Sequence, residues 1–196
     1  MRCLHWMVML FGLFWAGCAT TPSIDISGGP IEPPGQDIGI VIGSMLVETE
    51  DEPPDTSWFT RIFGRKASGF DYDFEILSVP DPTSAEKSQE RRYTLDVKPG
   101  EERIFVARLP FGRYVINRFR YKGISLLAGE LGASFVVAPR ATLYIGRFVL
   151  KVPRRVSLGT PYAIEVQDAR ESTITALQAQ HPGLELNAVT ALIQKN

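Results

Sequence analysis

The sequence predicts a mostly-β fold, an antiparallel β-sandwich of about seven strands followed by a short C-terminal helical segment. Three observations carry this expectation. Phe70-Asp71-Tyr72-Asp73-Phe74-Glu75-Ile76 alternates strictly between apolar and acidic side chains, the period-2 signature of a strand with one face in a core. Segments rich in β-branched and aromatic residues follow one another at short spacing, separated by turns bearing Pro or Gly, with no helical stretch between them. After Gln167 the apolar period lengthens to that of a helix.

Taken in chain order, the first strand is expected from Asp37, where Ile38, Ile40, Val41, Ile42 and then Met45 to Val47 crowd together. The alternating segment at 70–76 follows, and further strands are expected at residues 91–97, 103–109, 113–121, 134–138, 142–152 and 162–166. Residues 143–150 carry apolar side chains at both parities, which marks a central strand covered on both faces. Asp168 with Glu171 three positions on resembles a capping box, Ile174 and Leu177 stand at helical spacing, and Pro182-Gly183 ends the helix. Asn187 can cap a last short helix in which Val189, Leu192 and Ile193 share a face. The pair is expected to pack on the sheet or to cover one of its edges.

With 196 residues, 44% of them hydrophobic and 22% charged, the chain can bury one sizeable core, which favours one domain and excludes wholesale disorder. A formal net charge of −1 supplies no field that would collect nucleic acid, so a dedicated nucleic-acid binder is not expected. Two cysteines and two histidines are too few for most disulfide or zinc frameworks. Four segments are expected: an apolar leader at 1–17, Cys18 with a flexible Pro/Gly tether to residue 36, the sandwich at 37–167, and C-terminal helices at 168–196.

The first of these segments is the most specific. Arg2 precedes a nearly unbroken apolar run at residues 4–17, shorter than the roughly 20 residues a membrane-spanning helix needs. Its length fits a secretory signal, and it ends in Trp15-Ala16-Gly17-Cys18, with small residues directly before a cysteine. This ending resembles the lipobox of bacterial lipoproteins, with Trp15 standing where that family most often has Leu. The resemblance implies a diacylglycerol joined by a thioether to Cys18, cleavage before it, and acylation of the new amino terminus with a fatty acid such as palmitate. Ala19, in place of Asp, implies transfer to the outer membrane. The expected location is therefore the bacterial cell envelope, on the periplasmic or the surface side, with the lipid bilayer as partner through acylated Cys18. Two or three acyl chains hold stably where one holds only marginally. Cleavage would also remove Cys3 and His5, leaving no free thiol and only His181, so thiol catalysis and Cys/His zinc sites drop out. The tether that follows, ATTPSIDISGGPIEPPGQ, holds four prolines and three glycines with little apolar pattern.

A second resemblance lies within the sandwich. Leu109-Pro110-Phe111-Gly112-Arg113-Tyr114 resembles the L-P-x-G-x-Y turn of prealbumin-like and carboxypeptidase-regulatory-like domains, in which Gly makes a tight hairpin and Tyr packs inward. Together with Tyr144-Ile145-Gly146 it is similar to bacterial lipoproteins built on such a sandwich. Those domains are mostly binding or structural modules, so the resemblance implies a protein that is not an enzyme and uses no cofactor.

Asp71, Asp73 and Glu75 share a strand face, but residues two apart on a strand are ~6.5 Å apart, too far for one Ca²⁺ without help from loops. A solvated face is the expected role, and no metal is expected. Arg118, Arg120 and Lys122 form a basic stripe that would pair with the acidic one if their strands are neighbours, and would otherwise offer a patch to an envelope glycan.

The loop expected from Glu48 to Ser68 is the oddest stretch: it opens acidic, with Pro53-Pro54, and continues Trp58-Phe59-Thr60-Arg61-Ile62-Phe63-Gly64-Arg65-Lys66. One helical turn would gather Trp58, Phe59, Ile62 and Phe63 beside Arg61, Arg65 and Lys66, a composition suited to a membrane interface or an envelope partner protein. Its ordinary role would be to plug one end of the sandwich. His181 stands where a helix ends, and no Ser lies in a G-x-S-x-G elbow, so hydrolytic catalysis has thin material. The expected function is a membrane-anchored, non-enzymatic binding or structural module, with an accessory subunit of an envelope machine, docking through the 58–66 loop, as the alternative.

Overall fold

The computed structural model describes residues 21–25, 31–51, 58–80, 90–122, 124–181 and 187–195, with the backbone alone at residues 59, 61, 62 and 124–127. Among these, β1 (Ile38–Glu50), β5 (Arg103–Pro110), β8 (Thr142–Pro153) and β10 (Ala163–Gln167) form one sheet in the order β10-β8-β1-β5, with β11 (Val189–Thr190) also on β8. The second sheet runs β12-β7-β6-β3-β4, from β3 (Tyr72–Val79), β4 (Arg92–Val97), β6 (Gly112–Tyr121), β7 (Ile124–Val137) and β12 (Gln194–Lys195). The mostly-β fold stands as expected, with more strands than seven. Most pairings are antiparallel, but β8 runs parallel to β1 and β11. The excursion through the second sheet between β1 and β8 supplies the long crossover that a parallel pair requires.

Alternation explains the core. Val41, Met45 and Val47 of β1, Phe105 and Leu109 of β5, and Ile145, Phe148 and Leu150 of β8 meet Tyr72, Phe74 and Ile76 of β3 and Tyr114, Ile116 and Phe119 of β6 in one buried cluster. The other face of the first sheet, with Ile40, Ile42, Val106 and Tyr144, is covered by Leu177 of α2 (Arg170–Gln180) and by Ala188. This second layer is why β8 is apolar at both parities.

Four local expectations are corrected. The strand expected at 134–138 is the end of a much longer β7, whose Gly129, Glu130 and Gly132 dilute the apolar signal. The helix expected after Asn187 is instead β11 and β12, with Ala191 and Ile193 donating backbone hydrogen bonds to Tyr144 and Ile145 of β8. A helix that short is marginal alone, and unpaired strand groups at the sheet edges offer its backbone better partners. At α2 the N-cap is Ala169, while the Asp168 carboxylate accepts from the Arg170 N–H at 3.2 Å; Pro182 and Gly183 lie outside the described residues. Finally, the Leu109–Tyr114 turn does not close a hairpin within one sheet but carries the chain from β5 in one sheet to β6 in the other. Gly112 takes φ +143 there, and the buried Tyr114 hydroxyl donates to Pro110 O at 2.9 Å.

The tether is also corrected in its described parts. Ser23 forms a parallel bridge with Thr94 of β4, made by Ile24 N–H to Thr94 O at 3.0 Å and Thr94 N–H to Pro22 O at 3.1 Å. Ile24 is 3% exposed. Asp25 pairs with Arg103, Glu32 with Arg108 at 2.7 Å, and Ile31 packs on the outer cluster beneath α2. These contacts strap the open β4/β5 side of the sandwich, which blunts its edges.

Candidate functional site

The two ends of the sandwich differ. β1, β4 and β8 run toward the end where Glu50, Val97 and Pro153 lie, and the 58–66 segment sits there. α1 (Trp58–Phe63) is followed by β2 (Arg65–Lys66), which pairs with β9 (Arg155–Val156) as a two-stranded flap. Thr60 and Ser157 join their hydroxyls at 2.8 Å, tying α1 to the turn after β9. Behind the flap, Ala67 is buried and its carbonyl accepts from the Tyr72 hydroxyl at 3.4 Å.

Trp58 and Phe63 do not plug the sandwich: they are 69% and 62% exposed. Leu158 on the adjoining turn is 82% exposed, and Arg65 and Lys66 are exposed on β2. Phe59, Arg61 and Ile62 lie on α1, with only their backbone described. The end therefore displays apolar groups beside cations, though Glu50 and Asp51 bring negative charge to Lys151 and Arg154 at the same rim.

A cleft of about 480 Å³ opens next to this flap, lined by Phe119, Tyr121, Gly129, Val152, Leu158 and Tyr162. Tyr162 meets Phe119 edge to face at 5.0 Å between ring centroids, and its hydroxyl donates to Glu130 O. A Cβ on Gly129 would lie 2.5 Å from the Phe119 ring and 2.6 Å from the Tyr162 ring, so only glycine permits this packing. Burial pushes the Tyr72 phenol far up and that of Tyr121 to about 12, with a hydrogen bond from Tyr72 opposing the second shift. Both stay neutral near neutral pH.

The acidic and basic stripes meet. β3 lies beside β6, with Asp73 opposite Arg120 and Glu75 opposite Arg118. Arg120 reaches Asp73 at 2.9 Å, and Lys122 reaches Asp96 at 2.7 Å. Glu75, only 1% exposed, accepts from Asn117 at 2.9 Å, lies within 3.0 Å of the Arg118 guanidinium, and has Arg92 at 3.3 Å. Burial pushes its carboxyl up, but the hydrogen bonds from Asn117 and Arg118 and the charges of Arg118 and Arg92 outweigh that and hold it below the usual value of 4.5. The stripe thus forms the internal ion pairs that adjacent strands allow, rather than a positive patch for a glycan. A β-bulge in the β3–β6 pairing, between Glu75 and Ile76, brings Asn117 to Glu75 beside Arg118, while Arg92 reaches it diagonally from β4, where the register is unshifted.

Cys18 lies outside the described residues. Among those that are described, no helix is long and apolar enough to cross a membrane. No protein-family model, no curated protein and no solved structure matches the chain.

Proposed function

We propose that the chain is a bacterial envelope lipoprotein, anchored through acylated Cys18, whose sandwich serves as a non-enzymatic binding or structural module. The observation that carries this reading is the apolar run ending in Trp15-Ala16-Gly17-Cys18, set only five residues before Ser23. A lipid at that position and a domain that begins almost at once make a coherent pair, because the anchor then acts directly on the fold. The ion pairs of Asp73, Glu75 and Asp96 support the non-enzymatic part, since these carboxylates are engaged by Arg120, Arg118, Arg92 and Lys122. Labelling of producing cells with a palmitate analogue tests the reading. Label in the membrane-bound protein, lost with Cys18→Ser together with membrane retention, is the expected outcome; an unlabelled native chain would overturn it.

The exposure of Trp58 and Phe63 favours a second reading, in which the flap docks an envelope partner and the protein is an accessory subunit. A stoichiometric partner retained after detergent extraction, and lost on Trp58→Ser with Phe63→Ser, is the outcome that reading requires.

A further inference from the structure

The end opposite the flap has a composition of its own. Val79, Arg113 and Val136 form one exposed row across β3, β6 and β7, since Val79 stands opposite Arg113 and Arg113 opposite Val136. Val79 is 41% and Val136 62% exposed. Phe111, 58% exposed, projects from the turn between the sheets, where its N–H donates to Asp37 O at 3.0 Å. Arg91 stands at the same end but not in that row: its backbone exchanges hydrogen bonds with Ser78, the neighbour of Val79 on the other strand face. On the facing turn Arg140 N–H donates to Ile38 O at 3.1 Å, and the residue sits at φ +57, a conformation that favours Gly or Asn. Arg91, Arg113 and Arg140 are exposed and have no ion-pair partner among the described residues. The acidic side chains described near this end include Asp37, Glu32, which is held by Arg108 at 2.7 Å, and Glu90, set against Arg92 at 3.7 Å.

The strap leads here. Because Ser23 runs parallel to β4, Pro22 lies on the Arg92 side of Ser23, away from the flap. Cys18 lies five residues before Ser23, at most ~17 Å along an extended chain. From the level of Thr94, Val79 lies ~13 Å toward this end by strand rise, whereas Glu50, where the chain leaves for the flap, lies ~27 Å the other way. A lipid on Cys18 can therefore reach a bilayer under the Phe111 end while the Trp58 end points off the surface.

We infer that the Phe111 end is a bilayer-contact surface: Phe111, Val79 and Val136 settle at headgroup depth, and Arg91, Arg113 and Arg140 meet anionic lipid headgroups. An aromatic and aliphatic body rimmed by arginine is what an interfacial contact needs. Arg140 held in a left-handed turn keeps its guanidinium on that rim at a conformational cost. The direction of approach rests on the lipid-anchor reading, but the composition of the surface does not. The inference also gives the flap its role, since a strapped, end-on domain presents Trp58 to a partner rather than to the same membrane.

Two features of the sequence make this testable. With residues 1–17 removed, Cys18 is the sole thiol and Trp58 the sole tryptophan, and the described fold lies wholly after residue 20. The processed chain is coupled through Cys18 to maleimide lipid in phosphatidylglycerol vesicles whose acyl chains are brominated. Trp58 emission should fall by less than ~10%, whereas Phe111→Trp in a Trp58→Phe background should lose at least about half, as expected for a ring buried 5–10 Å into the interface. Quenching of Trp58 without quenching at position 111, or of neither, would overturn the inference.

In an uncoupled Cys18→Ser chain, Arg91→Gln, Arg113→Gln and Arg140→Gln should each weaken binding to the same vesicles about fivefold. Unchanged binding in all three would also count against it. Because the thioether is imposed chemically, failure of the lipid-anchor reading appears separately, as an unmodified Cys18 in protein taken from cells.

Discussion

Ser23 lies beside Thr94 as a parallel bridge, so the segment that leaves Cys18 is hydrogen-bonded into the sandwich almost immediately. Ile24, the next residue, is buried in the main core. Replacing Ile24 with Ala should cost about 2–4 kcal/mol, the usual range for an Ile truncated in a core. Urea unfolding of the variant checks this; a loss under ~0.5 kcal/mol would mean the strap adds little to the fold.

The Glu75 cluster sets an acid limb of stability. A carboxyl held below its usual 4.5 in the folded state contributes stability above that pH, and the contribution disappears as pH falls through the lowered folded value. Between pH 6 and about pH 3 the wild type should lose more stability than Glu75→Gln, whose curve should be flatter. Arg118→Met should be the more damaging change at neutral pH, by about 2 kcal/mol or more, because it strips a near-fully buried carboxylate of its closest cation. Chemical denaturation across pH measures both.

The turn between the sheets depends on two atoms. Tyr114→Phe removes the hydroxyl that donates to Pro110 O and should cost about 1 kcal/mol. Gly112→Ala places a Cβ at φ +143 and should cost about 1–3 kcal/mol even though open space surrounds the position. Thermal melts of the two variants give the order: the loss at Gly112 should equal or exceed that at Tyr114.

At the flap, Trp58→Ser and Phe63→Ser should each leave stability within about 0.5 kcal/mol of the parent, since both side chains lie mostly outside the core. A loss above ~2 kcal/mol, read by urea unfolding, would show that they are packing residues after all.

Where side chains alternate over a core, the sequence announces its fold plainly. The acidic stripe of β3 and the two-sided apolarity of β8 mark a half-covered and a fully covered strand in the sequence itself. The basic stripe could be read as a partner only conditionally, because strand order is decided by contacts far apart in the chain. The strap was illegible for a related reason. Ile24 and Ile26 alternate with Ser and Asp, but so short a run, closed by Pro and Gly on either side, is too brief to announce a bridge to Thr94.

The C-terminal residues misled in the opposite sense. Val189, Leu192 and Ile193 fit a helical face, but the open backbone of β8 and the edge of β7 decide their conformation. Phe111 and Arg140 were hidden because each stands in a turn, where neither period applies. The weak signal available was an Arg directly after Pro139, at a position where a tight turn usually calls for Gly or Asn.

The measurement that reaches the lipid anchor most directly is intact mass spectrometry of the protein extracted from envelope membranes, native beside Cys18→Ser. The expected spectrum shows a chain beginning at Cys18, heavier than its sequence by a diacylglycerol and a fatty acyl group, with that mass absent from the variant. A native chain that keeps residues 1–17, or carries Cys18 unmodified, would contradict the anchor and the envelope function built on it.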